Sequence, residues 1–179
     1  MKIGIMVTLF GIVMLTYAME QSRNDFETGI IIGKNIKANR YQNLYFSGQP
    51  GMDEFDILKK QGFVAIVNLR TKEEFDEIRE KIILDELNIR YINVPIDLND
   101  PLTDSQVQTI SQFVLSEDSN AKILVHCKSG NRVGVWVGAH FFKYKYFSKD
   151  EALKIAVQMG LSTSQALERL KDYLEAKFY

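Results

Sequence analysis

The apolar positions change period along the chain, and those changes divide it into elements. Residues 63–69 (FVAIVNL) are a run rich in β-branched side chains between Gly62 and Arg70, which predicts a buried strand. Arg90–Ile96 (RYINVPI) and Lys122–His126 (KILVH) repeat that signature, and residues 41–49 (YQNLYFSGQ) are strand-like before a Gly-Gln-Pro-Gly turn. Elsewhere the spacing becomes helical. Met52–Gln61 carries Phe55 and Leu58 and stops at Gly62. Thr71-x-x-Glu74, Thr103-x-x-Gln106, Ser148-x-x-Glu151 and Ser162-x-x-Gln165 read as capping boxes, in which two side chains satisfy free backbone amides at a helix start. The first two predict helices to about Leu87 and about Ser116. Leu167, Leu170, Leu174 and Phe178 line one face of the last helix.

The segment Val133–Tyr146 (VGVWVGAHFFKYKY) is apolar nearly all round at its start, which predicts a helix buried in the domain centre. Gly134 and Gly138 are one turn apart and are expected to let it approach the sheet closely. Phe141, Phe142, Tyr144, Tyr146 and Phe147 are expected in the core, as is a hydrogen-bonded His140. Strands alternate with helices from 41 to 127, and only helices follow residue 132. This predicts an α/β fold with a mostly parallel central sheet flanked by helices and an all-helical C-terminal part. No repeat or linker interrupts it, so residues 28–179 are read as one domain after a loose stretch near 19–28.

The first residues, MKIGIMVTLFGIVMLTYAME, place an apolar run between Lys2 and Glu20. This is the pattern of a secretory signal, with Thr16-Tyr17-Ala18 offering a cleavage site after Ala18. An uncleaved anchor over residues 3–19 is the alternative. Either places the body of the chain outside the cytoplasm, periplasmic or otherwise extracytoplasmic. With 22 Lys+Arg against 23 Asp+Glu, the chain shows no basic excess of the kind a nucleic-acid partner requires. One cysteine, Cys127, and two histidines leave no intrachain disulfide and argue against a zinc site.

The chemistry concentrates in ILVHCKSGNRVG (123–134), where a strand ends at Cys127 and a glycine-containing loop leads through Arg132 into a helix. Backbone amides of Lys128, Ser129, Gly130, Asn131 and Arg132 can converge on one point, and the helix N-terminus adds positive potential there. A tetrahedral anion fits such a cup, and Arg132 can close it with a planar charged fork. The same field favours a thiolate on Cys127, the nucleophilic form. Arg70 also stands at a strand end, where a parallel sheet faces its ligands, and is expected to form a supporting ion pair with Glu73, Glu74 or Asp97, with contact to the substrate as the alternative. Gln49 joins that rim if its strand runs parallel.

Taken with LYFSGQP (44–50) and VAIVNLR (64–70), the motif VHCKSGNR (125–132) resembles the cysteine-based phosphatases of the dual-specificity and tyrosine type. More narrowly, it resembles the bacterial beta-lactamase-hydrolase-like, phosphatase-like family. The resemblance covers residues 28–147. It implies a phosphatase fold and hydrolysis of phosphate monoesters through a phosphocysteine. It also implies a general acid on the loop after the strand preceding the cysteine strand. That loop, Pro95–Asp104, holds Asp97, Asp100 and Asp104. Asp97 stands directly at the strand end and is the first choice, Asp100 the second, and Asp104 belongs to a capping box. His126 is expected to point away from the cup and hydrogen-bond the loop.

Two departures bear on the reaction. Four residues separate Cys127 from Arg132, where the resembled phosphatases have five, and this shorter loop is the length used by rhodanese-type sulfurtransferases. Val133 stands where a helpful Ser or Thr is common. The alternatives are therefore a sulfurtransferase working through a Cys127 persulfide, and a non-catalytic module that binds anions or phosphoproteins. None implies a metal or organic cofactor. The expected partner is a phosphorylated small molecule or phosphoprotein.

Overall fold

The computed structural model describes residues 26–176. The apolar run expected to be a signal or anchor, and Phe178, lie outside these residues. Six strands form one sheet: β1 Phe26–Ile32, β2 Ile36–Tyr41, β3 Leu44–Ser47, β4 Phe63–Asn68, β5 Arg90–Asn93 and β6 Lys122–His126. Their spatial order is β1-β2-β3-β6-β4-β5. The last four are parallel, and β2 runs antiparallel to β1 and β3. The sequence pattern does not mark the hairpin β1–β2, because its alternation of charged and apolar residues is irregular. Among the described residues, six α-helices complete the fold: α1 Phe55–Lys60, α2 Glu77–Glu86, α3 Asp104–Leu115, α4 Asn131–Tyr144, α5 Lys149–Gln158 and α6 Ser164–Glu175. Among the described residues no strand follows β6, so the C-terminal part is helical as expected.

Strand alternation sorts the core into two faces. Ile123 and Val125 of β6, with Ala65 and Val67 of β4, pack against α3 to α6 around Trp136. Leu124 and Ile66 face the opposite way, toward Phe55 and Leu58 of α1 and Leu84 of α2. Continuing the period, Cys127 joins the first face.

Four local expectations are corrected. Thr71 and Glu74 do form a capping box, but it closes only a short 3-10 turn, Lys72–Glu74. Phe75 then goes extended, and α2 begins anew behind Asp76, whose carboxylate accepts from Arg79 N–H. The ring of Phe75 covers the Arg70 guanidinium at 4.1 Å, and Glu74 is engaged elsewhere. The cap of α6 is Thr163 rather than Ser162. Gly134 and Gly138 serve helix packing rather than the sheet: a Cβ would meet Leu161 Cβ at 2.5 Å from the first and Leu170 Cδ2 at 2.4 Å from the second. Of the aromatic stripe, Phe141 is buried, whereas Tyr146 is 85% exposed at a positive φ just beyond α4.

Candidate active site

The cup forms where β6 ends. Cys127 N–H donates to Ser47 O at 3.4 Å, Gln49 N–H to Lys128 O at 3.3 Å and Leu69 N–H to His126 O at 2.9 Å, which fastens the loop between β3 and β4. Gln49 thus does reach the same rim. Gly48 sits so near that a Cβ would stand 3.1 Å from Lys128 O. Gly130, at φ +96°, turns the chain into α4 and aims its N–H at Cys127 Sγ, 3.1 Å away. An amide pointed at the sulfur stabilises negative charge there. Cys127 is buried, while Lys128 and Ser129 are exposed.

Arg132 stands in the first turn of α4. Its Nη1 and Nη2 donate to Glu74 Oε2 and Oε1 at 2.5 and 2.6 Å, and Nη1 also donates to Leu69 O at 3.2 Å. The guanidinium has five N–H groups. These three bonds occupy its end and the outer Nη1 hydrogen. Among the described residues, the Nε–H and the outer Nη2–H, which form the side edge of the fork, have no partner. Glu74 also accepts from Thr71 N–H at 2.9 Å. The Arg132 guanidinium, ahead of every other cause, holds the Glu74 carboxyl at about 2. No periodicity argument marks Glu74: the capping-box pattern that exposes it in the sequence assigns it only to the local turn.

A cleft of about 290 Å³ opens beside Arg132, lined also by Thr71, Glu74, Ile96, Asp97, Leu98 and Gln165. The structure therefore brings Asp97 and Arg132 to one cleft. Asp100 is not among its walls; its N–H closes a turn on Asp97 O at 3.2 Å. Asn131 is turned away from the cup: its Oδ1 accepts from Ser162 N–H and Thr163 N–H at 2.8 and 2.9 Å. Asp104, read as a cap residue, pairs with Lys143 and accepts from Tyr173 Oη.

Behind the cup lies a buried polar group. Arg70 pairs with Glu80 at 2.5 Å, not with the carboxylates expected from sequence. Asn68 joins them by donating to Glu80 at 2.7 Å and accepting Arg70 N–H at 2.9 Å. His126 shares this face, away from the cup as expected, but neither ring nitrogen finds a hydrogen-bond partner among the described residues, Nε2 standing 3.8 Å from Glu80 Oε1. Burial first, then Arg70, pushes it down to about 3, so it is neutral. His140 is buried and bonded to Ser111 Oγ at 2.8 Å. Among the described residues no cluster of ligating side chains fits a metal.

A family described as the DSP-PTPase phosphatase fused to NAD+ kinase matches residues 27–172. The chain belongs to this family. Two proteins of Xylella fastidiosa, each called beta-lactamase hydrolase-like protein, are 30% identical over 95 residues, 51% of this chain. That match spans 21% of their own length. Among solved structures, TpbA of P. aeruginosa in complex with phosphotyrosine superimposes with a TM-score of 0.63 at 17% identity, covering 83% of this chain and 88% of that one. Tk-PTP gives 0.62 at 23% identity, covering 74% and 90%. The kinase-associated phosphatase with its catalytic-site cysteine changed to serine gives 0.60 at 18%, covering 75% and 89%. The protein thus has the fold of the tyrosine and dual-specificity phosphatases, and the expected architecture holds.

Proposed function

We propose that the protein is a cysteine-dependent phosphatase that hydrolyses phosphate monoesters of the tyrosine or dual-specificity type. The observation that carries this reading is the unpartnered side edge of Arg132, set at the end of a cup whose amide already faces Cys127 Sγ. A side edge of two parallel N–H groups matches two oxygens of a phosphoryl group. The thiolate of Cys127 attacks phosphorus in line, forming the S–P bond as the ester P–O bond breaks. Arg132 and the loop amides take the charge on the equatorial oxygens. Asp97, which shares the cleft with Arg132, gives its proton to the leaving oxygen. Water then cleaves the S–P bond, releasing phosphate and returning the thiolate.

The six-residue span from Cys127 to Arg132 favours a second reading, sulfur transfer through a Cys127 persulfide. The two are separated by assaying an aryl phosphate beside thiosulfate plus cyanide. Ester hydrolysis that vanishes in Cys127→Ser supports the phosphatase; faster turnover of thiosulfate replaces it. The apolar run after Lys2 supports export of residues 20–179. A full-length protein found in the cytoplasmic fraction would reject that part.

A further inference from the structure

The loop that carries Asp97 is held by a chain of side chains reaching from α6. Asn99 donates twice to Asp97 Oδ1, from its backbone N–H and from Nδ2, each at 2.9 Å. Asn99 Oδ1 in turn accepts from Gln165 Nε2 at 3.0 Å. One turn further along α6, Arg169 Nε donates to Leu98 O at 2.8 Å. The start of α6 is itself pinned to the nucleophile loop, because Asn131 Oδ1 accepts the Ser162 and Thr163 amides. One helix therefore touches both halves of the site: the cup through Asn131 and the aspartate loop through Gln165 and Arg169.

We propose that Asn99 and Gln165 are positioning residues that orient the Asp97 carboxyl toward the leaving group, with α6 setting the distance between that acid and the Cys127 cup. The inference rests on Asp97 being the general acid. The bonding pattern suits that task. Both donors fall on Oδ1, and among the described residues Oδ2 has no donor, so Oδ2 is the oxygen left to carry and deliver a proton. The amide of Asn99 has a fixed sense because Gln165 gives its N–H to Oδ1; this keeps Nδ2–H turned to Asp97. Gln165 also lines the cleft. Proton transfer demands placement within hydrogen-bond reach, and loss of orientation slows it without weakening anion binding.

The test uses phenyl phosphate, a poor leaving group, beside p-nitrophenyl phosphate, a good one. Asp97→Asn should lower kcat for the poor leaving group by about a hundredfold and the good one far less. Gln165→Glu replaces the donor with an acceptor, so the Asn99 amide turns over and presents oxygen to Asp97. It and Asn99→Ala should lower kcat for phenyl phosphate by about tenfold, a part of the general-acid effect, with kcat for p-nitrophenyl phosphate little altered; Asn99→Ala should leave KM unchanged, whereas the carboxylate that Gln165→Glu adds to the cleft should raise KM for both esters alike. Gln165 and Asn99 are exposed, so neither change threatens the core. If Asp97→Asn shows the selective loss and the other two do not, the tether is rejected while the acid assignment stands. Equal slowing of both esters by Gln165→Glu would reveal a merely structural role and also reject it. If Asp97→Asn itself loses no selectivity, the acid assignment fails and the tether with it.

Discussion

Glu74 shows how one carboxylate serves the local turn and the site together. It closes the box with Thr71 and fixes the Arg132 guanidinium by its end, so that among the described residues the side edge has no partner. Its acidity is strengthened in the folded chain, from 4.5 to about 2, so its contribution to stability is complete above 4.5 and lost as pH falls toward 2. Glu74→Gln should flatten that decline, read as the urea midpoint against pH. The same variant loosens Arg132, and ester hydrolysis should fall by about ten- to a hundredfold because orientation is lost while the cation remains. Arg132→Lys keeps the charge but loses the fork. Activity should drop by about a hundredfold or more, as when one preorganised donor is removed; wild-type turnover would take Arg132 out of the mechanism.

Among the elements, α4 depends on two glycines in different ways. A Cβ at Gly134 would lie 2.6 Å from the backbone nitrogen of Leu161, which cannot move without shifting the chain that leads into α6. A Cβ at Gly138 meets the far end of the Leu170 side chain at 2.4 Å and Ala156 Cβ at 3.2 Å. Alanine gains up to about 1 kcal/mol over glycine in a helix interior, whereas overpacking costs about 1–3 kcal/mol. Gly134→Ala should therefore be clearly destabilising and Gly138→Ala milder, compared by denaturant midpoints. Equal midpoints would show that the Leu161 backbone yields. Asn131→Ala removes the acceptor of the two amides that lead into α6, with an expected loss of about 1–2 kcal/mol.

Across the whole molecule, the parallel strands β3, β6, β4 and β5 bring their carboxyl ends to one edge, and the cup, Arg70 and the aspartate loop follow from that. The sheet separates two environments one residue apart: Cys127 on the α4 face, His126 within the buried polar group on the other. His126 and His140 are both pushed down to about 3, chiefly by burial. For these bases the unfolded chain takes protons first, so stability is lost as pH falls from 6.5 toward 3. His140→Gln removes one such group while leaving a polar partner for Ser111, and its urea midpoint should fall less steeply over that range. An unchanged slope would show that His140 does not supply that proton uptake.

The strands at 63–69 and 122–126, the α/β order, the buried helix after Gly130 and the loop from Cys127 to Arg132 were legible in the chain itself. Hydrophobic period, glycine placement and capping chemistry act over a few residues, and those residues are neighbours in sequence. What only the tertiary structure decided were the partnerships across long separations. The pairing of Glu74 with Arg132, of Arg70 with Glu80, and of Gln165 with Asn99 depends on side-chain reach after the sheet has ordered its strands. Local pattern is blind to such choices. Thr71-x-x-Glu74 reads equally well as the start of a long helix, but the box closes only a short 3-10 turn, because Phe75 turns extended to cover Arg70. Spacing marks only the backbone amide of Asn131 for the anion cup, and the packing of α6 against α4 is what commits its side-chain oxygen to Ser162 and Thr163.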